Sequence, residues 1–279
     1  MTDDRPADEE SASAGEAPPA GEAPPASSFG LPGDLPARLT RLERKLVDPG
    51  LDAARSLGDH VLPAWRRVTS REPRVPVTIA ILVAIGLMAA LPARVANRPR
   101  WLLPALAGLL LIGILVANNR IVDWRSRALR VASLVLIALL SIGTAASAVR
   151  LVLDLVQARG IRDPAELLLT GAAIWLTNMI VFGLWYWEFD RGGPAARALA
   201  IKQYPDFLFP QMTSPELAPP DWEPQFVDYL YLSFTNATAF SPTDVMPMSQ
   251  WTKLTMMSQS IVSLVIVVLV VARAVNILH

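Results

Sequence analysis

With 279 residues, 52% of them hydrophobic, and a mean hydropathy of +0.37, the chain gathers its apolar residues into blocks too long for an ordinary soluble domain. A formal net charge of zero removes the electrostatic signature of a nucleic-acid binder. The absence of cysteine excludes disulfides, thiolate metal sites and cysteine nucleophiles.

Residues 1–34 form an acidic Pro/Ala-rich tail in which GEAPPA occurs twice in tandem, at Gly15–Ala20 and Gly21–Ala26. Such a segment buries too little apolar surface to offset its ordering entropy, so the composition predicts disorder. It lacks the basic flank and apolar core of a secretory signal. Residues 35–74 predict amphipathic juxtamembrane helices. Leu39, Leu42 and Leu46 share one face, with Arg38, Arg41, Arg44 and Lys45 around it. Past the Asp48-Pro49-Gly50 turn, Leu57, Val61 and Trp65 repeat at helical spacing. Both a helix lying on a membrane surface and one packed on other helices fit this pattern.

Four apolar runs follow, Val75–Leu91, Trp101–Ala117, Val131–Val149 and Leu167–Trp187, and a fifth, more polar one covers Leu254–Ala272. Each is near the roughly 20 residues that a membrane-spanning helix requires. Pro76 and Pro104 sit near helix starts, where proline is tolerated. Gly143 and Ser147 give a spacing of small residues that permits close helix approach. Arginine flanks lean towards a cytoplasmic N-terminus. Arg66, Arg67, Arg71 and Arg74, with Arg120, Arg125, Arg127 and Arg130, lie on one side. Arg94, Arg98, Arg100, Arg150, Arg159 and Arg162 lie on the other.

Few polar groups interrupt the spans. Arg150 and Asp154, four residues apart, are expected to pair on one face. Asn178 is expected to bond a neighbouring helix. Trp185, Tyr186 and Trp187 have the composition of an interfacial belt, after which Glu188, Asp190 and Arg191 are expected to end the helix in water. A Pro-rich connector, 188–223, carries Asp206, Glu216 and Asp221, with Glu223 at its end, all expected to be solvated. No enzyme constellation is present: there is no HExxH, no glycine-rich phosphate loop, and the two histidines, His60 and His279, lie outside the spans. Neither enzymatic activity nor a cofactor or metal is expected.

The C-terminal stretch, 224–279, has three parts. Phe226 to Ala237 is an aromatic-rich segment of about 12 residues, long enough to enter a bilayer and too short to cross it. A polar turn with Thr238, Ser241, Thr243 and Asp244 follows, and then the last span. Non-helical backbone at membrane depth survives only when buried in protein or lining a water-filled cavity. In the last span Thr252, Thr255, Gln259 and Ser263 form one stripe, either glue between helices or the wall of a wetted conduit.

This stretch resembles the pore module of the two-transmembrane, potassium-channel-like ion channel superfamily. Members have a pore helix, a filter reading T-T-V-G-Y-G-D-x-x-P and an inner helix. The same frame here reads Thr238-Ala239-Phe240-Ser241-Pro242-Thr243-Asp244-Val245-Met246-Pro247, so the first Thr, the Asp and the last Pro match. Lys253, Gln259 and the Ala272-Arg273-Ala274-Val275 end are similar to bacterial inner helices. The whole chain is similar to bacterial multi-pass membrane families. Both filter glycines are replaced, by Ser241 and Thr243, and the tyrosine by Pro242. A carbonyl ladder needs left-handed backbone that glycine adopts at little cost, whereas Pro242 fixes φ near −65° and disfavours helical backbone at Ser241. A potassium-selective filter is therefore not expected. The family's loop enters from outside, whereas four spans put this one on the side of the N-terminus.

The expected fold is all-α: a polytopic membrane protein with about five transmembrane helices and a re-entrant pore-type half-helix before the last span, in the cell membrane. The resemblance implies a self-associating, tetrameric, channel-like protein for monovalent cations. Its filter-like residues would be Thr238, Phe240, Ser241, Pro242, Thr243 and Asp244, and its inner-helix stripe Thr255, Gln259 and Ser263. The alternative is a non-conducting membrane scaffold or regulatory subunit derived from a channel fold.

Overall fold

A computed structural model describes residues 63–69, 74–97, 99–120, 127–157, 163–238 and 244–278. The expected tail at 1–34, the amphipathic helices up to residue 62, and the filter-like Phe240, Ser241, Pro242 and Thr243 lie outside the described residues. The described chain is predominantly helical. We number the helices α1 (Val75–Ala90), α2 (Leu102–Arg120), α3 (Arg127–Val156), α4 (Pro164–Phe189), α5 (Pro194–Ala198), α6 (Pro210–Thr213), α7 (Phe226–Thr238) and α8 (Gln250–Leu278). Strands β1 (Phe207–Leu208) and β2 (Met246–Pro247) pair antiparallel. Among the described residues three helices, α3, α4 and α8, are long and apolar enough to cross a membrane. Val75–Ala90 and Leu102–Ala117 are shorter apolar helices.

Local chemistry accounts for the boundaries. Pro76 opens α1, and Leu91, which precedes Pro92, leaves the helical region (ψ 141°) and ends it. Asp163 caps α4 by accepting from the Ala165 amide at 3.0 Å, with Pro164 at the first helical position and Glu166 in the first turn. The α7 start is held by the Asp228 carboxylate, which reaches back to accept from the Gln225 amide at 2.8 Å.

Helix α4 is the central element; α1, α3, α7 and α8 all pack against it. Its inward face buries Leu167, Ile174, Val181 and Leu184. Helices α7 and α8 both begin at its C-terminal end and run antiparallel to it. Along α7, Phe226 meets Trp187 edge-on (6.1 Å between ring centroids), Leu230 lies on Gly183, and Phe234 meets Trp175 (6.3 Å). A Cβ on Gly183 would stand 3.3 Å from the Leu230 Cα, so glycine sets the close approach of these two helices. Along α8, Trp251 lies beside Phe189, Ser263 beside Asn178, and Val270 against Gly171. Helix α7 therefore stops about midway down α4 while α8 continues. Between them the chain comes back to the end it left, where β2 pairs with β1 and the Met248 amide donates to the Asp206 carbonyl at 2.8 Å.

The faces turned away from α4 are apolar and exposed: Ile79 and Leu82 on α1, Val135 and Ile142 on α3, and Met257, Ile261, Leu264 and Val268 on α8. Continuous apolar surface of this kind suits hydrocarbon or another protein.

Three expectations are corrected. Tyr186 and Trp187 do not form an outward belt; they are buried between α4, α7 and the connector. Glu188, Asp190 and Arg191 do not end the helix in water. All three are buried: the connector folds back on Asp190 and Arg191 and supplies hydrogen-bond partners, and Glu188 lies beside Arg130 of α3. Arg150 makes no ion pair with Asp154 among the described residues; its guanidinium crosses to α1–α2 and donates to Asn97 Oδ1 at 2.8 Å. Asn97 in turn donates to the Gly143 carbonyl at 3.0 Å.

Candidate functional site

The C-terminal module is fastened at two levels. The deeper one is centred on Gln259 of α8, which is fully buried. Its Nε2 donates to Ser233 Oγ at 2.6 Å and to the Ser233 carbonyl at 2.9 Å. Its Oε1 accepts from the Tyr186 hydroxyl at 2.6 Å and from Asn236 Nδ2 at 2.9 Å. Both amide protons and both lone pairs are thus used. Asn236 Nδ2 also donates to the Met256 carbonyl at 3.0 Å, and Ser260 Oγ donates to Asn236 Oδ1 at 3.2 Å. Ser233 Oγ donates to the Met179 carbonyl of α4 at 2.6 Å. One turn further on, Asn178 Nδ2 reaches Ser263 Oγ at 3.4 Å, so Asn178 does bond a neighbouring helix.

The second level lies at the C-terminal end of α4. Asp190 is fully buried. Its Oδ2 accepts from the Tyr229 hydroxyl of α7 at 2.6 Å, and its Oδ1 accepts from the amides of Asp206 (3.0 Å) and Phe207 (3.3 Å). Tyr229 is itself fully buried, so its hydroxyl has this carboxylate in place of water as its acceptor. Asp206 accepts from the Arg191 amide at 2.9 Å and from Trp251 Nε1 of α8 at 3.0 Å. The Arg191 guanidinium stands 3.6 Å from Asp190 and donates to the Trp65 carbonyl. Arg197 donates to the carbonyls of Trp187 and Asp190. The turn that makes this possible has positive φ at Arg191 (51°), Gly192 (86°) and Gly193 (95°). It reverses the chain so that the helix-terminal carbonyls face Arg197. Thr69 adds a tie from the N-terminal flank, donating to Glu223 at 2.8 Å.

Of the filter-like residues, two fall within the description. Thr238 ends α7, and its hydroxyl donates back to the Phe234 carbonyl at 2.9 Å. Asp244 is exposed in the bend before β2, next to the buried Val245. In the stripe, Gln259 and Ser263 are fully buried against α4 and α7, while Thr255 is half-buried and donates to the Trp251 carbonyl at 2.6 Å. Asp206 and Glu223, expected in water, are hydrogen-bonded, whereas Glu216 and Asp221 are exposed. Among the described residues no three His, Asp or Glu side chains cluster to hold a metal ion.

Sequence reasoning did not single out Ser233, Asn236 or Trp251, and it read Tyr186 as an interfacial aromatic and Asp190 and Asp206 as solvated carboxylates. A signal existed for the two α7 residues. Tyr229, Ser233 and Asn236 follow i, i+4 and i+7 on a helix otherwise rich in apolar residues, so they share a face. The anchors Asp190, Asp206 and Trp251 depend on contacts 15 to 45 residues apart, which periodicity does not encode.

The chain matches no family model, no curated protein and no solved structure.

Proposed function

We propose that the chain is an ion channel-like integral membrane protein of the cell membrane, with about five spans and α7 as a re-entrant half-helix. One observation carries this reading. Helix α7 starts level with the C-terminal end of α4 at Trp187, stops beside Trp175, and the chain then returns to its starting level at β2. In a bilayer, such a half-depth turn needs protein or water around it. Thr238 and Asp244 are exposed in the single chain, so self-association, as a tetramer on the resemblance, would enclose them. The hydroxyls of Thr238, Ser241 and Thr243 and a ring of Asp244 carboxylates would then line a weakly selective path for monovalent cations.

Purified protein in planar bilayers tests this directly. A cation conductance is expected, and Asp244→Asn should lower its preference for cations over anions several-fold. Silence at every voltage and pH tried, from protein shown to be inserted, would remove the reading.

The burial of Gln259 and Ser263 favours a second one. A stripe spent on holding helices together leaves less polar surface for a conduit, which suits a non-conducting scaffold or regulatory subunit. Because the chain has no native cysteine, Thr255→Cys reports on this cleanly. Labelling by a water-soluble thiol reagent supports the conduit, and protection in the assembled protein supports the scaffold.

A further inference from the structure

At the α4 C-terminal end a cavity of about 250 Å³ opens between α1, α2, α3, α4 and the chain from Gly192 to Ile201, with no α7 residue in its lining. Its walls are mostly apolar, with Ile81, Ile114 and Ile137 among them, and its mouth carries Arg74, Arg130 and Glu188. Pockets that enclose a whole small ligand run from roughly 300 Å³ upwards. This one has room for part of a molecule, its apolar part, while a charged part stays at the opening.

The mouth has a definite charge. Arg74 precedes the first residue of α1 and is half-buried. Arg130 lies in the first turn of α3, its side chain 49% exposed and 3.9 Å from Glu188, whose own side chain is 5% exposed. Basic groups outnumber acidic ones in the lining, two guanidinium groups to one carboxylate, and no other charged side chain lines the cavity among the described residues. The guanidinium fork matches a phosphate with two parallel hydrogen bonds. A largely apolar slot between helices with arginines in its lining is the form of a lipid-headgroup site.

We propose that this cleft holds an anionic phospholipid, with one acyl chain among Ile81, Ile114 and Ile137 and the phosphate between Arg74 and Arg130. The proposal rests on the helices being membrane-embedded and not on conduction, so a protein that passes no current still retains the lipid.

The test is native mass spectrometry of the full chain released from detergent. The protein is presented with equal amounts of dioleoyl phosphatidylglycerol and dioleoyl phosphatidylcholine, and separately with inorganic phosphate. Phosphatidylglycerol should be retained in preference. Arg74→Gln and Arg130→Gln should each lower that retention about fivefold, the contribution of one basic group near an anionic headgroup. Arg130→Lys should restore part of it. Leu115→Trp, which narrows the cleft from a partly exposed position and leaves the rim charges intact, should abolish it at an unchanged melting temperature. Equal retention of the two lipids, displacement by inorganic phosphate, or wild-type retention in Arg74→Gln, Arg130→Gln or Leu115→Trp would each overturn the proposal.

Discussion

Two sets of polar side chains fasten α7 and α8 to α4, and their chemistry is opposite. The deeper set, around Gln259, is neutral: amides and hydroxyls that saturate one another. The set at the helix end, around Asp190, is ionic, with one carboxylate and a guanidinium in contact and a second arginine on the adjacent carbonyls. Removing a charge from water costs far more than removing an amide, so charge is kept where backbone amides and a folded connector surround it. The neutral set can sit anywhere its own members reach each other. The two sets should therefore fail differently when broken.

Asp190→Ala should be the most damaging change. It strands the buried Arg191 and leaves the Tyr229 hydroxyl and two amides without their acceptor. Breaking one side of a buried ionic contact costs about 3–5 kcal/mol. Unfolding of the detergent-purified protein, followed by tryptophan fluorescence, should show a loss of that size, and Asp190→Asn should recover part of it. A wild-type unfolding curve for Asp190→Ala would mean the ionic set contributes little.

Gln259→Leu comes next. Ser233, Asn236 and Tyr186 each lose a partner but carry no charge, so the cost should be about 1–3 kcal/mol. If it equals or exceeds Asp190→Ala in the same assay, charge does not set the two fastenings apart. Gly183→Val tests the apposition on which both sets depend. The added side chain must displace Leu230 of α7, at about 1–3 kcal/mol for overpacking, and Ser233→Ala in that background should then cost less than it does alone. Smallest of all is Asp244→Asn. Being exposed, it should shift stability by no more than about 0.5 kcal/mol, so any change in conductance can be assigned to the pore and not to misfolding.

What the sequence made legible follows from the range of each interaction. Helix existence, the half-length of α7 and the polar face of α8 are local patterns, and they appear as composition and periodicity in residues 226–278. The proline and aspartate boundaries of α1 and α4 are equally local. The ionic set was misread because Glu188-Asp190-Arg191 before Gly192-Gly193-Pro194 carries the composition of a solvated helix end. Only the return of Asp206 and Phe207, 16 and 17 residues later, makes it an interior. Tyr186 and Trp187 were misassigned for the same reason: aromatic residues at a helix end suit an interface equally well, and α7, which covers them, lies beyond the connector.

The central place of α4 also bears on how the protein is made. Synthesis runs from the N-terminus, so α4 is complete before Ser233, Asn236 and Gln259 leave the ribosome. On the membrane reading, α8 entering the bilayer alone would carry an unpartnered amide into oil; docking beside a resident α4 supplies Tyr186 at once. The order of the genetic message thus matches the order in which the pieces become soluble in lipid. A C-terminal fragment expressed without α4 should be cleared by quality-control proteases, and supplying α4 in trans should rescue it.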